Sequence, residues 1–274
     1  MTTVTSRKKR SAAEAPESDR LFVLSVGKCF QLLECLNTAQ RPLTLTEIVQ
    51  LSGLERSAAQ RFAHTLRELG YLRQHPRSRA YTLSTRMLEF GHTVMMTHSI
   101  KEVADPHLLR LNRRCSETVN LMELEGRDIV YVSRYPSVHP VSVNLHVGSR
   151  LPAFCTAAGR AMLAFMPEPQ VQAVLKGQRQ AMTQHTVTDL DALEAILAQV
   201  RQDGYVINNQ EAFIGDISLA APIMNAEREV LGAINIAVPS PRWSVEKSRE
   251  ELVPLVLDCA RRISRELAMG RGGQ

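Results

Sequence analysis

The sequence predicts an α+β protein of two domains, a helical N-terminal third followed by a larger part built on a largely antiparallel sheet. Three observations carry that prediction. The chain has 274 residues, room for two domains at about 100–200 residues each. Apolar residues in the first third recur at helical spacing. Further along, alternating apolar segments pair off around short turns, with helical stretches between the pairs. A hydrophobic content of 44% with 22% charged residues is ordinary globular usage and excludes wholesale disorder.

Residues 1–20 are polar, rich in Ser, Ala and Glu and without periodicity, and read as a flexible arm. From Ser25 onward Val26, Phe30, Leu33 and Leu36 form one apolar stripe on a helix ending near Asn37. Arg41 and Pro42 break the chain. Thr44 and Glu47 then stand at the spacing of a capping box, and Leu45, Ile48, Val49 and Leu51 give the helix that follows its buried side, up to Ser52-Gly53. A third helix runs from Glu55 to Leu69 and stops at Gly70. Two short helices joined by a tight glycine-containing turn form a helix-turn-helix pattern. Tyr71–Arg73 and Ala80–Leu83 are brief strands around the basic connection 74–79, which has the form of a wing. These elements make residues 21–83 one domain. Residues 84–100 are a connecting helix with Met87, Phe90, Val94 and Met95 on one side, and 101–270 form the second domain.

In that second domain a helix is expected over 101–117, then a hairpin of 118–124 and 129–134 around Glu125-Gly126-Arg127-Asp128. Val141, Val143, Leu145 and Val147 alternate with Ser142, Asn144 and His146 as in a strand. Helices are expected near 156–166, 168–175 and 189–203, strands near 205–208, 217–224 and 230–238, and a last helix from Ser244 to Leu267.

Charge divides unevenly between the two parts. Residues 1–90 hold 14 Lys and Arg against 8 Asp and Glu, whereas 91–274 hold 19 against 20. A local basic excess points to a polyanionic partner for the first part alone. On the third helix Ala58, Ala59, Phe62, Leu66 and Leu69 fall on one side, and Arg56, Ser57, Gln60, Arg61, His64 and Arg67 on the other. A face of guanidinium, amide and hydroxyl groups is what reading the major groove of double-stranded DNA requires, because Arg pairs bidentately with guanine and Gln with adenine. Arg77 and Arg79 of the wing are placed for phosphates or a narrow minor groove.

The stretch Leu43–Arg73, containing LTEIVQLSGLERSAAQRFAHTLRELGYLR, resembles the winged helix-turn-helix of the IclR family of bacterial transcription regulators. GSRLPAFCTAAGRAML (Gly148–Leu163) and NNQEAFIGDISLAAPI (Asn208–Ile223) resemble that family's two ligand-domain signatures, and the likeness covers about residues 22–268. The RLPAFCT run is most similar to the family's regulators of aromatic-acid and β-ketoadipate catabolism. The resemblance implies a homodimer or dimer of dimers whose subunits pair an operator-binding domain with a GAF-like α/β effector domain. Effector binding would then shift the arrangement of the DNA-binding domains through the 84–99 helix.

The chemistry of the effector site is read from both signatures. Thr156-Ala157-Ala158-Gly159 open a helix with small residues whose uncovered amides would receive a carboxylate; equally, Thr156 is an ordinary cap and the small residues allow tight packing. Asn208, Glu211, Asp216, Ser218 and Asn235 are polar groups in an apolar neighbourhood, the usual design of a small-ligand pocket. Phe154, Met122 and Leu145 would wall a flat ring, or simply belong to the core. Family members commonly carry an acidic residue where Asn208 stands and a serine where Asn235 stands, so ligand identity does not carry over. The expected effector is a small organic acid, aromatic or derived from aromatic breakdown.

Competing functions have weaker support. Cys155 with a distant His would make an enzyme, yet there is no GxSxG, HExxH, GxGxxG or P-loop. A metal-responsive regulator would use the eight His, but His98, His107, His139, His146 and His185 stand at no ligand spacing. Five cysteines, at 29, 35, 115, 155 and 259, form no CxxC pair and fit a reducing cytoplasm. No cofactor or metal is expected. Nothing in the sequence reads as a membrane span or a secretory signal.

Overall fold

The computed structural model describes residues 21–97, 99–139 and 145–270. The chain divides after Met96 into two compact units. The expected arm over 1–20 and residues 141–144 of the expected alternating strand lie outside the described residues, and 145–149 form a loop rather than a strand.

The first unit has α1 (Leu24–Ala39), α2 (Leu45–Ser52), α3 (Arg56–Glu68), a hairpin of β1 (Leu72–Gln74) and β2 (Tyr81–Leu83), and α4 (Met87–Met96). The capping box starts α2: the Glu47 amide donates to Thr44 Oγ1 at 3.4 Å, and the Thr44 amide donates to Glu47 Oε2 at 2.8 Å. Gly53 ends it at φ 72°, in the left-handed region where a side chain is strained. Ala59, Ala63 and Leu66 of α3 pack against Leu32, Leu36, Leu43 and Ile48. The stripe expected on α1 is only partly right. Leu36 is buried, but Leu32 is its partner in the core, while Val26 and Phe30 are 52% and 59% exposed. Leu51 and Leu69 also face outward. Spacing locates a stripe but does not say which edge of it the neighbouring helices cover.

The second unit is one six-stranded sheet between two layers of helix. Its elements in order are α5 (Ser99–Cys115), β3 (Thr118–Glu125), β4 (Asp128–Tyr135), β5 (Arg150–Pro152), a 3-10 turn (Ala153–Cys155), α6 (Ala157–Leu163), α7 (Glu168–Leu175), α8 (Leu190–Asp203), β6 (Val206–Asn209), β7 (Asp216–Met224), β8 (Val230–Pro239), α9 (Val245–Glu251) and α10 (Val253–Gly270). Strand order is β5-β4-β3-β8-β7-β6, with every neighbouring pair antiparallel. Alternation assigns the faces. Val119, Leu121, Leu219, Ile234 and Ile236 pack with α5 and α10, whereas Met122, Tyr131, Ala220 and Ala233 face the cluster that holds α6, α7 and α8. The single helix expected over 244–267 is two, α9 and α10. Pro254, at the second residue of α10, has no amide to donate and is favoured in a first turn, not within a continuous helix.

Close packing of α6 rests on one residue. A Cβ added to Gly159 would stand 2.5 Å from Ala153 Cα and closer still to the Ala153 carbonyl oxygen. We expect Gly159→Ala to force the 3-10 turn off the helix and cost about 1–3 kcal/mol, read as a lowered denaturation midpoint. Unchanged stability would show that the turn yields freely.

Candidate nucleic-acid interface and effector site

In the first unit Arg56, Ser57, Gln60, Arg61 and His64 are all exposed on α3, opposite its buried alanines. Arg67 is drawn aside. Its guanidinium bonds Gln74 Oε1 at 3.2 Å and Glu68 Oε1 at 2.7 Å and lies 3.3 Å from His64 Nδ1, so it braces α3 against the wing. Gln60 and Arg61 have no side-chain partner within the described residues and remain available to a ligand. The wing is held by its own backbone. The Arg79 amide donates to the His75 carbonyl at 2.9 Å, and Gln74 Nε2 donates to the Arg79 carbonyl at 2.9 Å. Arg79 is left-handed at φ 56°, and the Arg77 and Arg79 side chains are exposed at the tip.

In the second unit the two signature segments meet under α6. The Arg160 guanidinium, 2% exposed, forms a bidentate pair with Glu211 at 2.5 and 2.6 Å and donates Nε to the Phe154 carbonyl at 2.8 Å. Glu211 also accepts the Val187 amide at 2.9 Å. Asn208 Nδ2 bonds the Cys155 carbonyl at 3.0 Å and Glu211 Oε1 at 3.2 Å, while its Oδ1 accepts the Glu211 amide at 3.2 Å. Asn208 is therefore occupied by the fold. The amides expected to be uncovered at the start of α6 are not. Ala157 and Ala158 are 2% and 1% exposed, and the Gly159 amide is taken by Thr156 Oγ1 at 3.2 Å. The 3-10 turn laid over the helix start excludes solvent there, so tight packing accounts for the small residues. Phe154 and Met122 are buried in the same cluster, with Leu145 packed at its edge.

A polar row crosses this face of the sheet, from strand to neighbouring strand. Arg134 Nη1 on β4 donates to Asn120 Oδ1 on β3 at 3.1 Å, Asn120 Nδ2 donates to Asn235 Oδ1 on β8 at 2.7 Å, and Asn235 Nδ2 donates to Ser218 Oγ on β7 at 2.7 Å. Asn208 on β6 is the register partner of Ser218. Sequence reasoning found Ser218 and Asn235 but missed Asn120, Arg134 and Arg160. The available signal was parity: in TVNLMELE, Asn120 and Met122 share one face, so a buried apolar strand carries an amide inward.

Three groups near these residues have displaced proton affinities. Asp216, at the start of β7, is half-buried. Burial pushes its carboxyl up from 3.8 to about 7, against the opposing pull of Arg134. Burial and the nearby Asp216 also raise the Tyr131 hydroxyl, against Arg134. The Cys155 thiol is pushed up to about 12, mainly by burial, and its Sγ lies 3.6 Å from the Pro152 carbonyl. That shift favours the neutral thiol over the nucleophilic thiolate. Among the described residues no group of three or more His, Cys, Asp or Glu could hold a metal ion, and no helix is long and apolar enough to cross a membrane.

The raised Asp216 carboxyl has a sign that can be measured. Its proton is held more tightly in the folded state, so its contribution to stability is complete below the ordinary aspartate range and is lost as pH rises through about 7. We expect the melting temperature of Asp216→Asn, minus that of the unaltered protein, to become more positive from pH 5 to pH 8.5. Parallel pH curves would show that the carboxyl titrates normally.

Comparison with known proteins extends over both units. Residues 25–76 match the family profile described as IclR helix-turn-helix domain, and residues 92–265 match that of the bacterial transcriptional regulator IclR C-terminal. The Pca regulon regulatory protein of Pseudomonas putida is 32% identical over 266 residues, 96% of this chain and 90% of that one. A crystal structure of a transcriptional regulator from Rhodococcus sp. RHA1 superposes with a TM-score of 0.79 at 35% identity, covering 91% of this chain and all of that one. An IclR homologue from Microbacterium hydrocarbonoxydans, crystallised with 4-hydroxybenzoate, gives a TM-score of 0.77 at 25% identity, covering 89% and 99%. With a helix-turn-helix in one unit, a matching ligand domain in the other and regulators rather than enzymes as relatives, this chain belongs to the IclR family of bacterial transcriptional regulators.

Proposed function

We propose that this protein controls transcription from an operator in the cytoplasm in response to a small organic acid, aromatic or derived from aromatic breakdown. Residues 21–83 read DNA, 84–100 connect, and 101–270 bind the effector. The observation that carries the reading is a row of buried polar groups on a sheet face otherwise lined by apolar side chains, which is how small-ligand sites are built. The acid lies against that row, with Asp216, Ser218 and Asn235 as polar contacts and Phe154 as an apolar wall, and not at the covered start of α6 (Thr156, Ala157, Ala158). The Pca regulon regulator and the homologue crystallised with 4-hydroxybenzoate support the aromatic class. Titration calorimetry with benzoates, adipate, sugars and amino acids tests it; binding of a sugar or an amino acid in place of every acid would overturn it.

On DNA, the α3 face enters the major groove and the wing tracks phosphates. Replacing Gln60 or Arg61 with Ala is expected to lose about 1–3 kcal/mol at one operator position and relax preference there. Arg77→Ala or Arg79→Ala weakens all sequences alike and lowers the salt slope of binding by about one. Full sequence preference retained in both α3 variants would remove α3 from the groove.

Two copies act together, because one winged helix reads a site too short for specificity. In the first unit α4 exposes Leu88, Phe90 and Met96 at 70%, 56% and 70%, and α1 exposes Val26 and Phe30; exposed large apolar side chains on a helix are what an interaction surface requires. Light scattering at micromolar concentration is expected to give a dimer or larger species, and Phe90→Lys is expected to weaken it. A monomer, even with operator present, contradicts the pairing.

A further inference from the structure

Arginine has donors and no acceptor. Arg134 therefore obliges Asn120 to present its oxygen, at 3.1 Å, and so to turn its NH2 toward Asn235. Asn235 in turn must accept with Oδ1 and donate with Nδ2, at 2.7 Å on each side. The last acceptor is Ser218 Oγ, whose own hydrogen has to point away. One cation thus fixes the sense of every hydrogen bond across four strands, independently of how the two amides would otherwise be oriented.

Donor accounting gives the consequence. Each asparagine NH2 carries two hydrogens and the row uses one of each, leaving a hydrogen on Asn120, one on Asn235 and the hydroxyl hydrogen of Ser218 with no acceptor among the described residues. All three side chains are buried, at 1%, 5% and 9% exposure, where an unpaired donor is costly. The Arg160–Glu211 network on the same face differs, because there the carboxylate supplies acceptors for the donors around it. Asp216 lies in the electrostatic neighbourhood of Arg134, and burial raises its carboxyl to about 7.

We propose that Asn120, Asn235 and Ser218 form a donor-only cradle for the effector's carboxylate, and that Arg134 is a positioning residue that sets its polarity. This rests on the acid-effector reading above and adds where the acid group sits and why a neutral amide is refused. A carboxylate has only acceptors and matches the row. A primary amide of the same shape turns a donor toward donors at one of its two ends.

The test uses full-length protein and titration calorimetry with benzoate, 4-hydroxybenzoate, 3,4-dihydroxybenzoate and adipate, each paired with its primary amide. At least one acid is expected to bind at least tenfold more tightly than its amide. Ser218→Thr keeps the hydroxyl and Ser218→Val, of the same size, does not; the first should retain affinity for that acid and the second lose about tenfold or more. Arg134→Lys, still a donor-only cation, should keep the acid-to-amide ratio, and Arg134→Met should narrow it, a change that mere loss of packing does not produce. Equal acid affinity in the Thr and Val variants, or an unchanged ratio in Arg134→Met, overturns the cradle while leaving an acid effector bound elsewhere. Failure of every acid to bind the unaltered protein, with a sugar or amino acid binding instead, overturns the acid reading and the cradle with it.

Discussion

The effector unit depends on a buried ion pair. Arg160, on α6, is almost wholly buried, and its charge is tolerable only because Glu211 meets it with both oxygens and the Phe154 carbonyl takes the remaining direction. Removing one member of such a pair strands a buried charge, typically at about 3–5 kcal/mol. The pair joins segments 51 residues apart in sequence. Through Val187, Asn208 and the Cys155 carbonyl it also fixes the connection before α8, the end of β6 and the 3-10 turn. The two family signatures are thus two halves of one packed object.

That constraint separates polar groups that serve the fold from those left for a ligand. Sequence alone treats Asn208, Ser218 and Asn235 alike, as polar residues among apolar ones. In the structure Asn208 spends both its oxygen and its nitrogen on neighbours. Ser218 and Asn235 lie one and two strands further along the same face and belong to a chain of hydrogen bonds that begins at the Arg134 guanidinium. Burial is nearly the same for all three, so burial is no guide. Hydrogen-bond accounting is.

Legibility in the sequence followed the range of the determining interactions. The α2 capping box, the division of α3 and the β3–β4 hairpin are set by residues within a few positions of one another, and each is present, although Leu69 at the end of α3 faces outward and Arg67 is drawn to the wing. The buried edge of α1 is set by α2 and α3, so periodicity favoured Val26 and Phe30 over Leu32. The strand β5 is three residues long and exists through pairing with β4, which leaves no periodic trace. Arg134 was missed for the same reason. Its role is conferred by Asn120 across the ladder and by Asn235 beyond it, at a separation of more than 100 residues.

Selectivity at such a site is a difference between ligands rather than a sum of contacts. A hydrophobic wall distinguishes ligands weakly, since an extra or missing methylene is worth only about 1–3 kcal/mol. Phe154 and Met122 can therefore set the size of the acceptable acid but not its kind. A row whose donors all point the same way discriminates by refusal, because a ligand presenting a donor leaves two hydrogens facing each other in a place without water to separate them. That refusal requires the asparagine amides to be unable to turn over. If Arg134 were a group able both to donate and to accept, Asn120 and Asn235 could invert together and greet an amide as readily as an acid. The specificity of the pocket is then held by a residue on β4, three strands away from the hydroxyl at the far end of the row.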